Sequence, residues 1–192
     1  MQGSLAGVRV LELARYQAGP RGGMMMSDLG AEVIKIEPPS GDTTRSLVRG
    51  GPSGTIVAYS QGKKAICLDL TTDGAKEVFL RLAASADVVI HNLAPSAARK
   101  LGVTADDCMA VNPGVIHVHV KGYGAGPQAD DLMTNPIAEA ATGAMDDHRI
   151  DGRPTRFGPS YHDQFAGTYA VIRIMAAMMN PAASAADRRI EI

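Results

Sequence analysis

Asp163 is the residue of this chain whose type and setting best suit chemistry. It ends the run Gly158-Pro-Ser-Tyr-His-Asp163, which is small and loop-like, and a stretch with helical periodicity follows directly. Two readings are open for it. As an N-cap, its side chain satisfies free backbone N–H groups at the helix start. As a reactive group, its carboxylate is held ionised and available by the positive end of the helix, with space in front for a substrate. Other constellations carry less. His117 and His119 alternate on one strand signal and have the types to chelate a metal, but no companion set of ligands accompanies them. Asp146-Asp147-His148 reads as a solvated turn, and Cys67 and Cys108 lie too far apart, with no second pair, to make a zinc site. No metal is expected. Gly122-Tyr-Gly-Ala-Gly126 follows a strand signal but lacks the third glycine of a dinucleotide loop, and Pro127 comes next. There is no Gly-x4-Gly-Lys-Ser/Thr run and no Gly-x-Ser-x-Gly elbow, so a P-loop and the commonest α/β serine hydrolase site are excluded.

The elements that must position Asp163 read as alternating strands and helices. Strand signals cover Gly7–Leu13, which alternates and is rich in β-formers, Ala31–Glu37, Ala65–Leu70, the nearly continuous apolar Asp87–His91, and Val115–Val120. Helical spacing covers Arg21–Gly30, Asp73–Ala84, Pro95–Leu101 and Thr104–Val111, with Pro20 in the first turn of the first, Gly102 stopping the third and Thr104 capping the fourth. Residues 38–54 and 145–156 read as exposed loops. Phe165, Tyr169, Ile172, Met175 and Met179 recur at helical spacing, so Gln164–Met179 is a helix, stopped by Asn180-Pro181. Arg189–Ile192 looks like the beginning of a strand. This alternation predicts α/β architecture with a mostly parallel sheet. Ligands of such sheets sit at the carboxyl ends of the strands, which directs attention to the loops after Leu13, Glu37, Leu70, His91 and Val120.

Composition narrows the function classes. The 192 residues carry 19 Lys and Arg against 20 Asp and Glu, a formal charge of −1, which argues against a dedicated nucleic-acid binder and a polybasic membrane-surface protein. Hydrophobic residues make up 45 %, as in globular chains. No apolar run is long enough for a membrane span, and the first residues lack the basic and apolar regions of a signal peptide. The cysteine usage fits a reducing compartment, so a cytoplasmic location is expected.

Taken in order, the chain resembles CoA-transferase family III, also called the CaiB/BaiF family. The resemblance rests on Leu5-Ala-Gly-Val-Arg-Val-Leu-Glu-Leu13 with Gln17-Ala-Gly-Pro20, and on Leu29-Gly-Ala-Glu-Val-Ile-Lys-Ile-Glu37 with Gly41-Asp42 and Arg45. It continues through Lys63-Lys-Ala-Ile-Cys-Leu-Asp-Leu70, Ala86-Asp-Val-Val-Ile-His-Asn92, Leu101-Gly102, Asn112-Pro113 and Lys121-Gly-Tyr-Gly124. Gln17 and Lys121-Gly-Tyr123 look most like the formyl-CoA transferase branch. Pro38, Met133 and Asn135 depart from it, at places where that branch has a basic residue near the CoA phosphates and a nearby lysine and tyrosine.

The resemblance implies a Rossmann-like, mostly parallel sheet flanked by helices, with residues 1–192 forming a single α/β domain, the family's N-terminal part, and the family's second domain absent. It implies that Asp163 is the nucleophile of a CoA transfer between an acyl-CoA and a carboxylic acid, through a covalent aspartyl intermediate. Gln17 and Ala18 are then expected to line the active site, with Gln17's amide aimed at the oxyanions formed, and Leu68, Leu70, Thr71, Asn92, Leu93 and Lys100 to contact CoA. No permanently bound cofactor is implied; coenzyme A enters as the thioester substrate. An acyl-CoA racemase of the same family is a second reading, weakened because Asp131–Ile137 holds no histidine. A truncated, catalytically silent CoA-binding or assembly module is a third. The terminal strand and an exposed helix face predict a homodimer or a partner subunit.

Overall fold

The computed structural model describes residues 3–46 and 51–192. Residues 1–2 and residues 47–50 of the expected 38–54 loop lie outside the described residues.

The chain runs β1 (Arg9–Leu13), α1 (Ala18–Asp28), β2 (Glu32–Glu37), a single 3-10 turn at Thr43–Ser46, α2 (Gly54–Ser60), β3 (Lys64–Cys67) and α3 (Asp73–Ala83). It continues with β4 (Val88–His91), α4 (Pro95–Leu101), α5 (Ala105–Val111), β5 (Ile116–His119), α6 (Asn135–Ala141) and α7 (Ala144–Asp147). A small hairpin of β6 (Arg149–Ile150) and β7 (Arg153–Pro154) precedes the long α8 (Tyr161–Met179), and β8 (Arg189–Glu191) ends the succession. The main sheet has the order β3-β2-β1-β4-β5-β8, and every pairing in it is parallel. The expected terminal strand therefore exists and lies along the edge of β5.

The strands form because Val, Ile and Leu runs bury both faces of a parallel sheet. β4, Val-Val-Ile-His, is buried at every position. One face packs α1 and α8, through Met26, Val171 and Ile174, against Val10, Val88 and Ile90. The other packs α3, α4 and α5, through Phe79, Ala83, Ala98 and Cys108, against Leu11 and Val89. Local signals set several ends as the sequence suggests. Thr104 and Asp107 form a reciprocal capping box on α5. Gly102 terminates α4 with a left-handed backbone, φ 69°.

Four expectations change. The region 145–156 is a short helix and a hairpin rather than a loop. Asp151 and Gly152, with φ of 51° and 75°, form the left-handed pair that a two-residue hairpin turn needs. The expected 38–54 loop contains the 3-10 turn, and α2 begins inside its end, capped by Ser53 Oγ accepting from Ile56 N at 3.3 Å. The first helix starts at Ala18, three residues before Arg21, so Pro20 sits within its first turn. The long helix starts at Tyr161, and the apolar recurrence that identifies it (Phe165, Tyr169, Ile172, Met179) lies on its exposed side. Its buried side is the small-residue face of Gly167, Ala170, Val171, Ile174 and Ala177.

Candidate functional site

β1 and β4 are neighbours, but β1 runs into α1 on one face of the sheet and β4 runs into α4 on the other. A crevice opens where the two connections diverge, the place where open parallel sheets bind ligands. Two loops line it. Asn92, directly after β4, ties them together: Arg15 N donates to its Oδ1 at 2.8 Å, and its Nδ2 donates to Arg15 O at 2.7 Å. Tyr16 then takes a left-handed backbone, φ 63°, which side chains other than glycine rarely adopt. Gln17 follows as the N-cap of α1, and its Nε2 lies 3.4 Å from Ser160 Oγ.

Ser160 is the N-cap of α8, so Gln17 touches the turn that delivers Asp163. The approach of α8 to α1 depends on Gly167, where an added Cβ would stand 2.5 Å from Ala18 O. One helical turn before that contact, Asp163 faces the crevice. It is the third residue of α8 and not its N-cap, which settles the first of the two sequence readings against capping.

Asp163 lines two adjoining cavities. One, of about 360 Å³, has Ala18, Asn92, Leu93, Met133 and His162 among its walls. The other, of about 550 Å³, has Arg15, Gln17, Ala18, Asn92 and Ser160. A third cleft, of about 220 Å³, gathers Leu68, Leu70, Thr71 and Leu93 with Arg15 and Pro38. Arg15 borders the second and third, and Leu93 the first and third, so the three are neighbours. The structure thus brings Asp163, Gln17, Ala18, Asn92 and Leu93 together and places Leu68, Leu70 and Thr71 in the adjacent cleft. Lys100 is exposed on the last turn of α4 and lines none of these cavities.

Burial raises the Asp163 carboxyl above the usual aspartate value; the His162 imidazole lowers it and the Glu139 carboxylate adds to the rise.

The segment before Asp163 is pinned from α6. Asn135 Oδ1 accepts from His162 N at 3.0 Å, filling the role that Ser160 leaves vacant at this helix start. Asn135 Nδ2 donates to Glu139 Oε1, and Glu139 Oε2 accepts from Phe157 N at 3.2 Å. Glu139 is fully buried, with Arg156 3.8 Å away. Both ends of the 157–162 segment therefore hang on one Asn–Glu pair.

The strand histidines are structural. His117 Nε2 lies 3.0 Å from Val103 O and His119 Nε2 2.8 Å from Leu93 O, so both rings hold neighbouring loops. Among the described residues no group of His, Cys, Asp and Glu is arranged to hold a metal. Cys67 and Cys108 are free thiols. Gly122 is no phosphate cradle: at φ 98° it lets Met133 pack where a Cβ would meet it at 2.5 Å. Arg15, Glu139 and His162 are the site neighbours that sequence reasoning missed. The Asn135-Pro136 pair and the i, i+4 spacing to Glu139 were the available signal.

A parallel sheet with a carboxylate and a carboxamide in the crevice at its switch point defines an α/β protein with a candidate ligand site there. The chain belongs to CoA-transferase family III, whose profile matches residues 5–192. It is 31 % identical over 196 residues to a formyl-CoA:oxalate CoA-transferase of Streptomyces avermitilis, covering 100 % of this chain and 48 % of the relative. It is 35 % identical over 200 residues to a succinate–glutarate CoA-transferase of Agrobacterium fabrum, covering 98 % and 50 %. Among solved structures, a CAIB/BAIF family protein from Brucella suis superposes with a TM-score of 0.84 at 36 % identity, covering 93 % of this chain and 50 % of that one. A hypothetical protein from Mycobacterium tuberculosis gives 0.91 at 30 %, covering 99 % and 54 %. The chain spans about half the length of the curated relatives it matches.

Proposed function

We propose that this chain carries the nucleophile of a CoA-transferase, Asp163, and binds acyl-CoA along the crevice from Leu68, Leu70 and Thr71 past Asn92 and Leu93 to Gln17 and Ala18. The observation that carries this reading is the convergence of Asp163 and Gln17 on one cavity, with the Leu68–Thr71 cleft next to it across Arg15. The transferase names of its relatives, formyl-CoA:oxalate and succinate–glutarate among them, support the reaction class.

The chemistry balances without a redox step. The Asp163 carboxylate attacks the thioester carbonyl, and the C–S bond breaks to give a mixed anhydride and CoA thiolate. The thiolate attacks the aspartyl carbonyl, releasing the donor acid and leaving an aspartyl-CoA thioester. The acceptor carboxylate attacks that thioester, and the returning thiolate takes the new acyl group and frees Asp163. Splitting the exchange this way replaces one difficult step by easier ones. Each attack creates an oxyanion that needs a donor aimed at it, and the Gln17 amide is the nearest side-chain candidate on the α1 side. No resident cofactor enters this scheme. Arg15 provides the cation between that cavity and that cleft, near Pro38, where its charge suits the CoA phosphates.

The racemase reading is weaker, because the 131–137 segment brings Met133 and Asn135 rather than a histidine to the cavity. Association with a second copy of the chain is part of the proposal. The outer face of α8 exposes Phe165, Tyr169, Ile172 and Met179, an apolar stripe larger than scattered surface residues produce; light scattering at micromolar concentration tests it. No helix among the described residues is long and apolar enough to cross a membrane. The reaction is tested by following CoA transfer from oxalyl-, formyl- and succinyl-CoA to free carboxylic acids by chromatography. Transfer by the parent protein, lost in Asp163→Asn, supports the reading. Equal transfer by both refutes the nucleophile, and CoA binding without transfer favours the silent module.

A further inference from the structure

A second cluster of charge lies beneath the crevice, and the scheme above does not use it. Glu12 on β1 is completely buried, and its register partner on β2 is Lys35. Lys35 Nζ lies 3.3 Å from Glu12 Oε1 and 2.8 Å from Asp42 Oδ2; Lys63 Nζ lies 2.5 Å from Glu12 Oε2. The side chains of Lys35 and Lys63 are only 3 % and 1 % exposed. Two buried cations thus face two buried anions, and such groups are rarely tolerated unless every charge is matched.

The remaining donors of the two lysines go to the main chain. Lys35 Nζ donates to Ala14 O at 2.6 Å, and Lys63 Nζ donates to Pro20 O at 2.9 Å. Ala14 and Pro20 bracket the loop that carries Arg15, Tyr16 and Gln17. Glu12 joins the two lysines, so one carboxylate couples both ends of that loop. Gly23 on α1 leaves the room for it: an added Cβ would stand 1.9 Å from Glu12 Oε2. Within the loop, Tyr16 holds its left-handed backbone, a conformation that persists only where the surroundings over-determine it.

We propose that Glu12, Lys35 and Lys63 are positioning residues that clamp the Ala14–Gln17 loop and the first turn of α1 at Pro20, and so fix the Gln17 side chain toward Asp163. The proposal rests on the reading of Gln17 and Asp163 as one site. The clamp sets geometry: a displacement of about 1 Å in a positioning group can slow a reaction by about 100-fold.

The test uses the intact protein and two variants. Lys63→Met removes one hold on the loop. Glu12→Gln/Lys63→Met removes it while keeping the charge of the cluster balanced, which covers the case in which the single variant does not fold. Two readouts are taken, and the first is independent of the transferase reading. Amide exchange of the 15–19 segment, where Arg15 N is protected by Asn92, is expected to rise at least about tenfold while β4 amides keep their protection. The rate of acylation of Asp163 by acyl-CoA is expected to fall about 10- to 100-fold, with KM within about twofold, and the fall is expected to vanish in a Gln17→Ala background. Unchanged exchange in the loop overturns the proposal. Faster exchange in every strand alike also overturns it, because the cluster then only holds the fold. A loosened loop with undiminished acylation, or a fall that persists without Gln17, overturns the positioning role. A loosened loop in a protein whose parent form is never acylated upholds the clamp and refutes the transferase reading.

Discussion

Exchanging the two members of the Asn135–Glu139 pair is the most discriminating perturbation of the site's scaffold. In the parent protein every polar atom of the chain of hydrogen bonds has a complementary neighbour: His162 N donates to Asn135, Asn135 donates to Glu139, and Phe157 N donates to Glu139. Glu139→Gln puts an amide donor against either Asn135 Nδ2 or Phe157 N. Flipping Asn135 only transfers the conflict to His162 N. Asn135→Asp sets two carboxylates face to face. Each single change leaves one buried group unmatched, at a cost of about 1–3 kcal/mol. With an m-value of about 2 kcal/mol/M, that lowers the urea midpoint by about 0.5–1.5 M. The double exchange, Asn135→Asp with Glu139→Gln, restores the pattern. The carboxylate then introduced on the first residue of α6 would accept from His162 N and from the new amide, whose oxygen would accept from Phe157 N. Its midpoint is expected within about 0.5 M of the parent, a coupling of about 2 kcal/mol or more. Urea unfolding followed by circular dichroism measures all four proteins. Additive losses in the double variant would refute the reasoning, because they would show that the two residues act independently.

Three further outcomes follow from the same geometry. Burial depresses the His117 imidazole to about 4, and His91 and His119 are lowered too, chiefly by burial, with the His117 and His119 ring centroids 5.0 and 4.1 Å from that of His91. The unfolded chain therefore binds protons that the folded one refuses. The His117 contribution is whole above its ordinary value, 6.5, and is lost as pH falls toward 4, on the order of 2–3 kcal/mol; urea midpoints between pH 7.5 and 4.5 check it, and a slope that His117→Gln leaves unchanged would count against it. Gly167→Ala forces a Cβ to 2.5 Å from Ala18 O, so α8 must back away from α1, at a cost of about 1–3 kcal/mol in thermal unfolding and with a larger loss of acylation than of stability. Arg15→Ala is expected to weaken CoA binding about tenfold in calorimetry, less at high salt, whereas Lys100→Ala, which removes an exposed side chain outside the three cavities, changes it by less than about twofold.

The sheet was legible because buried parallel strands need apolar runs, and Val88–Ile90 is one; Ile116–His119 shows instead as an alternation of Ile116 and Val118 with histidines. The crevice was legible at its ends: Gln17, Asn92 and Asp163 follow strand or loop signals that place them on one rim. The short helices α2 and α6 were not; α4 and α5, equally short, were read from their end signals Pro95, Gly102 and Thr104. The buried face of α8 was hidden too. Its large side chains supply the visible recurrence, while Gly167, Ala170 and Ala177 permit the close approach to α1. Glu12 and Lys35 read in sequence as the polar positions of alternating strands; only the arrival of Lys63 and of the glycine surface of α1 turns them inward. The rise in the Asp163 carboxyl has the same origin, because burial and the nearby Glu139 charge come from neighbours that pattern alone does not bring together. Lys100, where the resemblance implies a contact with CoA, is exposed and lines none of the three cavities.

The central claim is that the Asp163 carboxylate becomes acylated. Intact-protein mass spectrometry after mixing with oxalyl-, formyl- and succinyl-CoA tests it most directly, with Asp163→Asn alongside. The expected result is an acyl- or CoA-sized mass increase on the parent protein alone, mapped by peptide analysis to Asp163. An equal adduct on Asp163→Asn, or none on a parent protein that transfers CoA, would contradict it.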